Sequence, residues 1–259
     1  MEHDQDKIQK HITKIKKVTS GEDIIAGIHN YCDRWCERCT HTKHCSVYQM
    51  ERLDQEEGGG TEAVSDIDNK KFWENLSLNM AATMEMLRQD MDKMGIDIDA
   101  LPEVEEEVHI ETEVENLTKD YSYSLMKWLN KNHEYFKEVM LQEGIENEAM
   151  VFAVDDAIEI ITWYSMFIHV KTHRSMHVEN DPFDDDEEFE YRFHDNLGSA
   201  KIALISIDRS MESFSFLLKY MPEKESEILN YLAQLTKSKR LITERWPTAM
   251  EFKRPGFDD

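Results

Sequence analysis

The chain of 259 residues carries 54 acidic and 30 basic side chains, which gives a formal net charge of −24. A negative surplus of this size opposes binding to nucleic acid and to anionic membranes, because both are themselves negatively charged. We expect neither as a partner. We also expect a cytoplasmic protein, because no apolar run of about 18 residues lacks charged side chains.

The first 54 residues are predicted to form a separate N-terminal segment. Isoleucine and valine recur at helical spacing among five lysines in residues 1–20, which predicts a short amphipathic helix or a frayed arm. This basic stretch could contact a protein partner, and the alternative is a solvated helix face. Residues 20–23 have the composition of a helix start, and residues 47–53 that of a short helix. Three consecutive glycines then mark residues 55–68 as a flexible linker.

The rest of the chain is predicted to be all-α, with a helical bundle over residues 69–246 and a polar tail over residues 247–259. Two of its helices are apolar around their whole circumference, which is typical of helices at the centre of a bundle. Acidic runs between the helices offer a second surface to a protein partner. The predicted helices cover residues 69–94, 121–141, 145–176, 197–221 and 222–245, of which the third and fourth form the central pair. The acidic runs cover residues 97–116, where Val104, Val108 and Ile110 leave a short strand open, and residues 179–190.

All four cysteines lie within fourteen residues, at Cys32, Cys36, Cys39 and Cys45. The first three are spaced i, i+4 and i+7, which on a helix places three thiols on one face. A turn before Cys45 would add the fourth thiol. Four convergent thiolates suit tetrahedral zinc or a [4Fe–4S] cluster. The sequence therefore predicts one metal centre that is bound by all four cysteines.

Basic side chains and imidazoles lie among these cysteines. Arg34, Arg38 and Lys43 would offset the net negative charge of a centre with four thiolates. His41 and His44 are spare ligands, either of which could replace a thiolate.

Zinc, disulfides and unligated cysteines remain alternatives to a cluster. Neighbouring positions on one helical face are unfavourable for disulfide geometry, and no leader segment indicates an oxidising compartment. Unligated structural cysteines are usually scattered along a chain. Zinc sites commonly pair a C-x2-C knuckle with a distant second pair of ligands, whereas these four ligands are consecutive. The pattern therefore favours an iron–sulfur cluster over zinc.

Two family resemblances are local to this stretch. Cys32, Cys36 and Cys39 form C-x3-C-x2-C, which resembles the cluster motif of radical S-adenosylmethionine enzymes. The run from Cys36 to Cys45 is similar to the C-x2-C-x5-C end of the cluster motif in RecB-like nucleases. Both resemblances imply an iron–sulfur cluster on these cysteines. The leading hypothesis is thus a helical metalloprotein that serves electron transfer, sensing or structure.

A pair of acidic motifs supports an alternative function. Asp156-x2-Glu159 and Glu187-x2-Glu190 resemble the paired motifs that hold magnesium in all-α nucleoside triphosphate pyrophosphohydrolases. This resemblance implies a metal-dependent phosphohydrolase that acts on nucleotides or another phosphate ester. In that case the four cysteines would hold structural zinc.

A second divalent metal site is predicted near the ends of the two central helices. His169 and His173 are spaced i, i+4 on one helix, and Glu190 and His194 have the same spacing on the next. If the two helices fold back antiparallel about Asp181, the two pairs lie at matching heights. Three imidazoles and one carboxylate suit iron, manganese or zinc. The alternative is that these histidines only pair with nearby carboxylates.

Overall fold

The computed structural model describes residues 4–54, 70–97, 110–176 and 186–258, and within these ranges it contains seven α-helices and no β-strand. The all-α prediction is confirmed for this part of the chain. No helix in the described ranges is both long and apolar enough to cross a membrane. The helices are α1 (Gln5–Thr19), α2 (Ser46–Asp54), α3 (Lys70–Met94), α4 (Glu113–Glu146), α5 (Glu148–Met176), α6 (Asp186–Leu217) and α7 (Glu225–Arg245).

Contacts divide the chain into two compact units. The first unit contains α1, α2 and α3, and the second contains α4 to α7. The sequence pattern groups residues 69–246 as one domain, whereas the contacts place α3 with the N-terminal segment. The linker predicted at residues 55–68 lies outside the described residues. The first unit comprises residues 1–29, 34–107 and 255–257, and the second comprises residues 30–33, 108–254 and 258–259.

In the first unit, α1 packs against α3. Ile8 and Ile12 on α1 and Ala82 on α3 are buried, and Leu78 and Met86 pack around them. The amphipathic helix predicted at the N-terminus is therefore confirmed. The helix start predicted at residues 20–23 is wrong, because this stretch ends α1. The backbone N–H and the side-chain hydroxyl of Ser20 both donate to the carbonyl of Lys16. These bonds give a partner to a carbonyl group in the last turn of α1.

The apolar spacing of α3 predicts its helical period correctly, but most of that stripe is not buried. Leu76, Met80, Met84 and Leu87 are between 38% and 63% exposed. The face that packs against α1 instead carries small residues such as Ala82, which let two helices approach closely. Periodicity alone identifies a helix, and which apolar face is covered depends on the neighbour.

The second unit is a four-helix bundle in which α4, α5, α6 and α7 form a closed ring of neighbours. Neighbouring helices run antiparallel. Their contacts show this, because residue numbers rise along one helix while they fall along its neighbour. On α4 and α5, for example, Ser122 donates to the carbonyl of Ser165, while Glu115 lies beside His173 further along both helices. The predicted helical bundle is confirmed.

Several helix ends differ from their predicted positions. The helix predicted at residues 121–141 begins at Glu113 and continues through Gly144 to Glu146. Its early start is explained by a capping box, in which Glu115 accepts hydrogen bonds from the backbone N–H and the hydroxyl of Thr112, each at 2.7 Å. Of the suggested short strand, Ile110 is described and lies outside any strand; the two valines lie outside the described residues.

The two central helices are the most deeply buried. Tyr164 and Ile168 on α5 are 0% exposed, as are Ala203 and Ile207 on α6. α6 begins at residue 186, eleven residues before the predicted start at 197, and residues 177–185 lie outside the described part of the chain. α7 ends at Arg245, as predicted, and Trp246 is its C-cap residue.

Gly198 on α6 lets the ring of Tyr31 lie directly against the helix backbone. A Cβ added at Gly198 would be 2.3 Å from a ring carbon of Tyr31 and 3.0 Å from a ring carbon of Phe252. These two rings also meet edge to face, with their centroids 4.8 Å apart. Tyr31, which directly precedes Cys32, therefore packs closely against Gly198 of α6.

Replacing Gly198 by alanine is expected to lower the free energy of unfolding by about 1–3 kcal/mol. Alanine normally stabilises a helix interior by about 1 kcal/mol over glycine, but here the buried ring would have to move. Chemical denaturation followed by circular dichroism measures the change. Ser215→Ala, at an exposed position of the same helix, is the control and should shift stability by less than about 0.5 kcal/mol. A Gly198→Ala protein as stable as the wild type would contradict the proposed close fit.

Candidate metal centre

The cysteine-rich stretch does not form one helix. Arg34 has a φ of +59°, a left-handed conformation that interrupts any regular helix between Cys32 and Cys36. Two short 3-10 turns follow, at Cys36–Arg38 and Thr42–His44, before α2 begins. The predicted helix through the first three cysteines is therefore wrong. Short turns separate the cysteines instead, with only two residues between Cys36 and Cys39.

The first turn places two cysteines at its ends. Cys36 opens it and Cys39 closes it, with the Cys39 N–H donating to the carbonyl of Cys36 at 3.2 Å. In a 3-10 turn, residues i and i+3 project in the same direction. The backbone N–H of His41 also donates to Cys39 Sγ at 3.4 Å. Hydrogen bonds of this kind tune the reduction potential when the sulfur binds iron.

The second turn is held by residues upstream in the same unit. Ile25 N–H donates to the carbonyl of His44 at 3.0 Å, and His44 Nδ1 lies 2.7 Å from the carbonyl of Asp23. A carbonyl oxygen can only accept, so Nδ1 carries the proton and Nε2 keeps its lone pair in the neutral ring. His44, immediately before Cys45, therefore retains a nitrogen able to bind metal.

Cys32 lies in residues 30–33, which belong to the second unit. Both ends of this segment are bound by side chains of α5. Trp163 Nε1 donates to the carbonyl of Asp33 at 2.9 Å. Lys171 Nζ donates to the carbonyl of Asn30, also at 2.9 Å. Lys171 is 6% exposed, so its ammonium group is satisfied inside the protein rather than by bulk water. The backbone around Cys32 is thus positioned by the bundle.

Asp33 adds a side-chain anchor to the same segment. Its Oδ2 accepts hydrogen bonds from the Tyr164 hydroxyl at 2.8 Å and from Arg209 at 2.7 Å. Burial, with the carboxylate of Asp33 beside it, raises the pKa of Tyr164 to about 12. The phenol therefore stays protonated and donates throughout the physiological pH range.

The four thiols are partly accessible and have basic neighbours. All four cysteines are half-buried, and none of these described residues is joined in a disulfide. The Arg38 guanidinium lies 3.9 Å from the centre of the Trp35 ring, a cation–π contact that fixes a positive charge within the first turn. Arg34 and Lys43 are exposed. The charge that a thiolate centre would need is therefore available locally.

The donor set fits a metal centre in its chemistry. Soft thiols, turn geometry and a backbone N–H directed at sulfur are present in the first unit. However, no group of three or more His, Cys, Asp or Glu side chains within the described ranges is arranged to hold a metal ion. The metal centre shared by all four cysteines therefore stays a prediction.

The residues of the second predicted metal site lie in two places. His169 and His173 face α4, where their contacts are Thr118 and Glu115. His194 lies beside Phe252, with ring centroids 6.3 Å apart. The ion pair of Arg174 with Asp195 shows that His194 lies level with residue 175, about 9 Å along the axis from His169. The side chain of Glu190 lies outside the described residues.

The acidic motifs of the alternative function are described only in part. Asp156 is half-buried on α5 and Glu159 is exposed. Glu187 and Glu190 fall within α6, but their side chains lie outside the described residues. The magnesium site that this resemblance implies stays a prediction.

Two sets of site residues were missed by reading the sequence. Glu115 could have been found, because Thr112 and Glu115 have the T-x-x-E spacing of a capping box. The contacts of Asp33 with Tyr164 and Arg209 had no such signal, since 131 and 176 residues separate the partners.

Comparison of the chain with protein-family models, with curated proteins and with solved structures gave no match. Functional inference therefore rests on the residues and their geometry.

Replacing Tyr164 by phenylalanine is expected to lower the free energy of unfolding by about 1–2 kcal/mol. The change removes the hydroxyl that donates to Asp33 and accepts from Arg209, without altering the size of the ring. Urea denaturation measures the loss. Tyr123→Phe, at a position that is 55% exposed on α4, is the matched control and should leave stability nearly unchanged. Equal stability of the two variants would contradict an anchoring role for Tyr164.

Proposed function

We propose that this chain is a metalloprotein whose Cys32, Cys36, Cys39 and Cys45 bind one [4Fe–4S] cluster. The proposal rests chiefly on one observation, that all cysteines of a 259-residue chain lie within fourteen residues. Thiolate ligands in such a compact run are typical of cluster sites. When bound, the cluster would supply one-electron redox chemistry, which suits electron transfer or sensing, or it would serve to stabilise the N-terminal segment.

The local structure supports this proposal in two ways. The turn at Cys36–Arg38 gives a C-x2-C pair a common direction, and the N–H of His41 is directed at Cys39 Sγ. The segment that carries Cys32 is separately anchored through its backbone carbonyls. Anchoring limits the motion of the backbone that carries Cys32, which would reduce the entropy lost when metal binds.

The protein's own residues would tune the centre. Arg38, held over Trp35, and the exposed Arg34 and Lys43 provide positive charge that favours the more negative, reduced state of a cluster. The hydrogen bond to Cys39 Sγ acts in the same direction. We therefore expect these residues to raise the reduction potential relative to that of an unassisted four-thiolate cluster.

Anaerobic purification and reconstitution with iron and sulfide should give a brown protein that contains iron and sulfide in equal amounts. Each single change of Cys32, Cys36, Cys39 or Cys45 to serine should reduce bound iron and lower the stability of the N-terminal unit, because one ligand is lost from a shared centre. Iron, sulfide and zinc analysis, together with the visible spectrum, measures the outcome.

Ser46→Ala, next to the last cysteine, is the matched control and should keep its full iron content. A colourless protein that binds one zinc per chain, and loses this zinc in the same cysteine variants, would show that the cysteines bind zinc and not a cluster. Full metal content in all four single variants would reject a shared centre altogether.

A further inference from the structure

Two histidines of α5 form a pair on its surface toward α4. His169 and His173 are one helical turn apart, and their ring centroids are separated by 6.1 Å with an angle of 39° between the ring planes. Each Nδ1 is engaged by a side chain of α4. The two rings are therefore oriented by a neighbouring helix rather than left to rotate in solvent.

The partner of His173 is a buried carboxylate. His173 Nδ1 lies 2.7 Å from Glu115 Oε1, and the Glu115 side chain is fully buried. The other carboxylate oxygen accepts two hydrogen bonds from Thr112, at the positive N-terminal end of α4, which favours the ionised form. An ionised carboxylate can only accept, so His173 Nδ1 donates the proton and the lone pair of the neutral ring lies on Nε2.

The partner of His169 leads to the same tautomer. The Thr118 hydroxyl lies 3.0 Å from the carbonyl of Val114 and 3.1 Å from that of Glu115, and these oxygens can only accept its proton. Thr118 Oγ1 therefore acts as the acceptor toward His169 Nδ1, at 3.2 Å. The lone pair of the neutral His169 ring lies on Nε2 as well.

The histidine pair is accessible from solvent. The His173 side chain is 42% exposed, so an ion can reach the pair from solvent.

We propose that His169 and His173 bind one divalent transition-metal ion through their Nε2 atoms, with Glu115 and Thr118 as positioning residues. Metal-bound histidines almost always donate their other ring N–H to a carboxylate, backbone carbonyl or water. His173 already has a carboxylate in this position and His169 has a hydroxyl. Two imidazoles on a tetrahedral ion have centroids roughly 5 Å apart for Zn–N bonds of about 2.0–2.1 Å. The ring centroids of His169 and His173 are 6.1 Å apart, so metal binding would bring the rings about 1 Å closer.

The class of ion follows from the ligands. Neutral imidazole suits zinc, copper, nickel and cobalt, whereas magnesium and calcium prefer oxygen ligands. Water would complete the coordination shell, so the site needs neither Glu190 nor His194. Thiolates and imidazoles also differ in softness, and the histidine site is chemically separate from the cysteine centre.

Zinc titration of the full-length protein, followed by ¹H–¹⁵N spectra of the histidine side chains, tests this site. The cysteines are loaded beforehand if they take up metal. We expect saturable shifts of the Nε2 signals of His169 and His173, identified from His169→Gln and His173→Gln. Because the signals belong to named histidines, the result does not depend on whether the cysteines bind a cluster, zinc or nothing.

Each histidine variant should lose the saturable zinc equivalent, whereas His133→Gln, at an exposed position on α4, should keep it. Thr118→Val keeps the side-chain size and removes only the hydroxyl, so zinc affinity should fall about 10–100-fold while the helical signal is retained. Glu115→Gln should act likewise if it folds. Zinc that leaves both histidine signals unshifted, or affinity unchanged in both histidine variants, would overturn the proposal.

Discussion

The burial of α5 against both of its neighbours is the interaction on which the second unit depends. Its apolar residues fill the core, and its polar residues make the contacts that set its position. Ser165 receives a hydrogen bond from α4, and Arg174 forms an ion pair with α6. Since a helix is rigid over its length, these contacts fix the direction of every other α5 side chain. The segment that carries Cys32 and the histidine pair are both positioned by this one helix.

Buried cations give the bundle a second kind of constraint. Lys171 and Lys201 are 6% and 7% exposed, yet both direct their ammonium groups at backbone carbonyls of irregular segments. Lys201 also meets Asp258, whose pKa is held well below its usual range by hydrogen bonds from Arg254 and Lys201. An unpaired buried ammonium would be strongly unfavourable. The backbone at Asn30 and at Phe252 is therefore held to the bundle by hydrogen bonds from buried ammonium groups.

The two proposed metal sites depend on different kinds of structure. Cys36 and Cys39 lie at the two ends of one short turn, whereas the segment that carries Cys32 is held by side chains of α5. The histidines depend on helix packing, because their tautomers are set by Glu115 and Thr118 on a different helix. The acidic surface would favour cations at both.

Local chemistry allowed the sequence by itself to determine much of this protein. Apolar periodicity located the helices, Trp246 marked the end of α7, and exclusive clustering singled out the cysteines. Each of these signals involves only nearby residues, so it can be identified without knowing how the helices pack. Helix starts were predicted less well where a capping pair such as Thr112 and Glu115 extended the helix beyond its apolar pattern.

Only the tertiary structure decided which faces and which distant residues meet. The apolar stripe of α3 looked like a buried face, yet small residues on another side pack against α1. The packing of α5 in the bundle places His169 and His173 against Thr118 and Glu115 of α4. Asp33 found its partners more than 130 residues away. Such contacts follow from the packing of whole helices, a property that no short stretch of sequence contains.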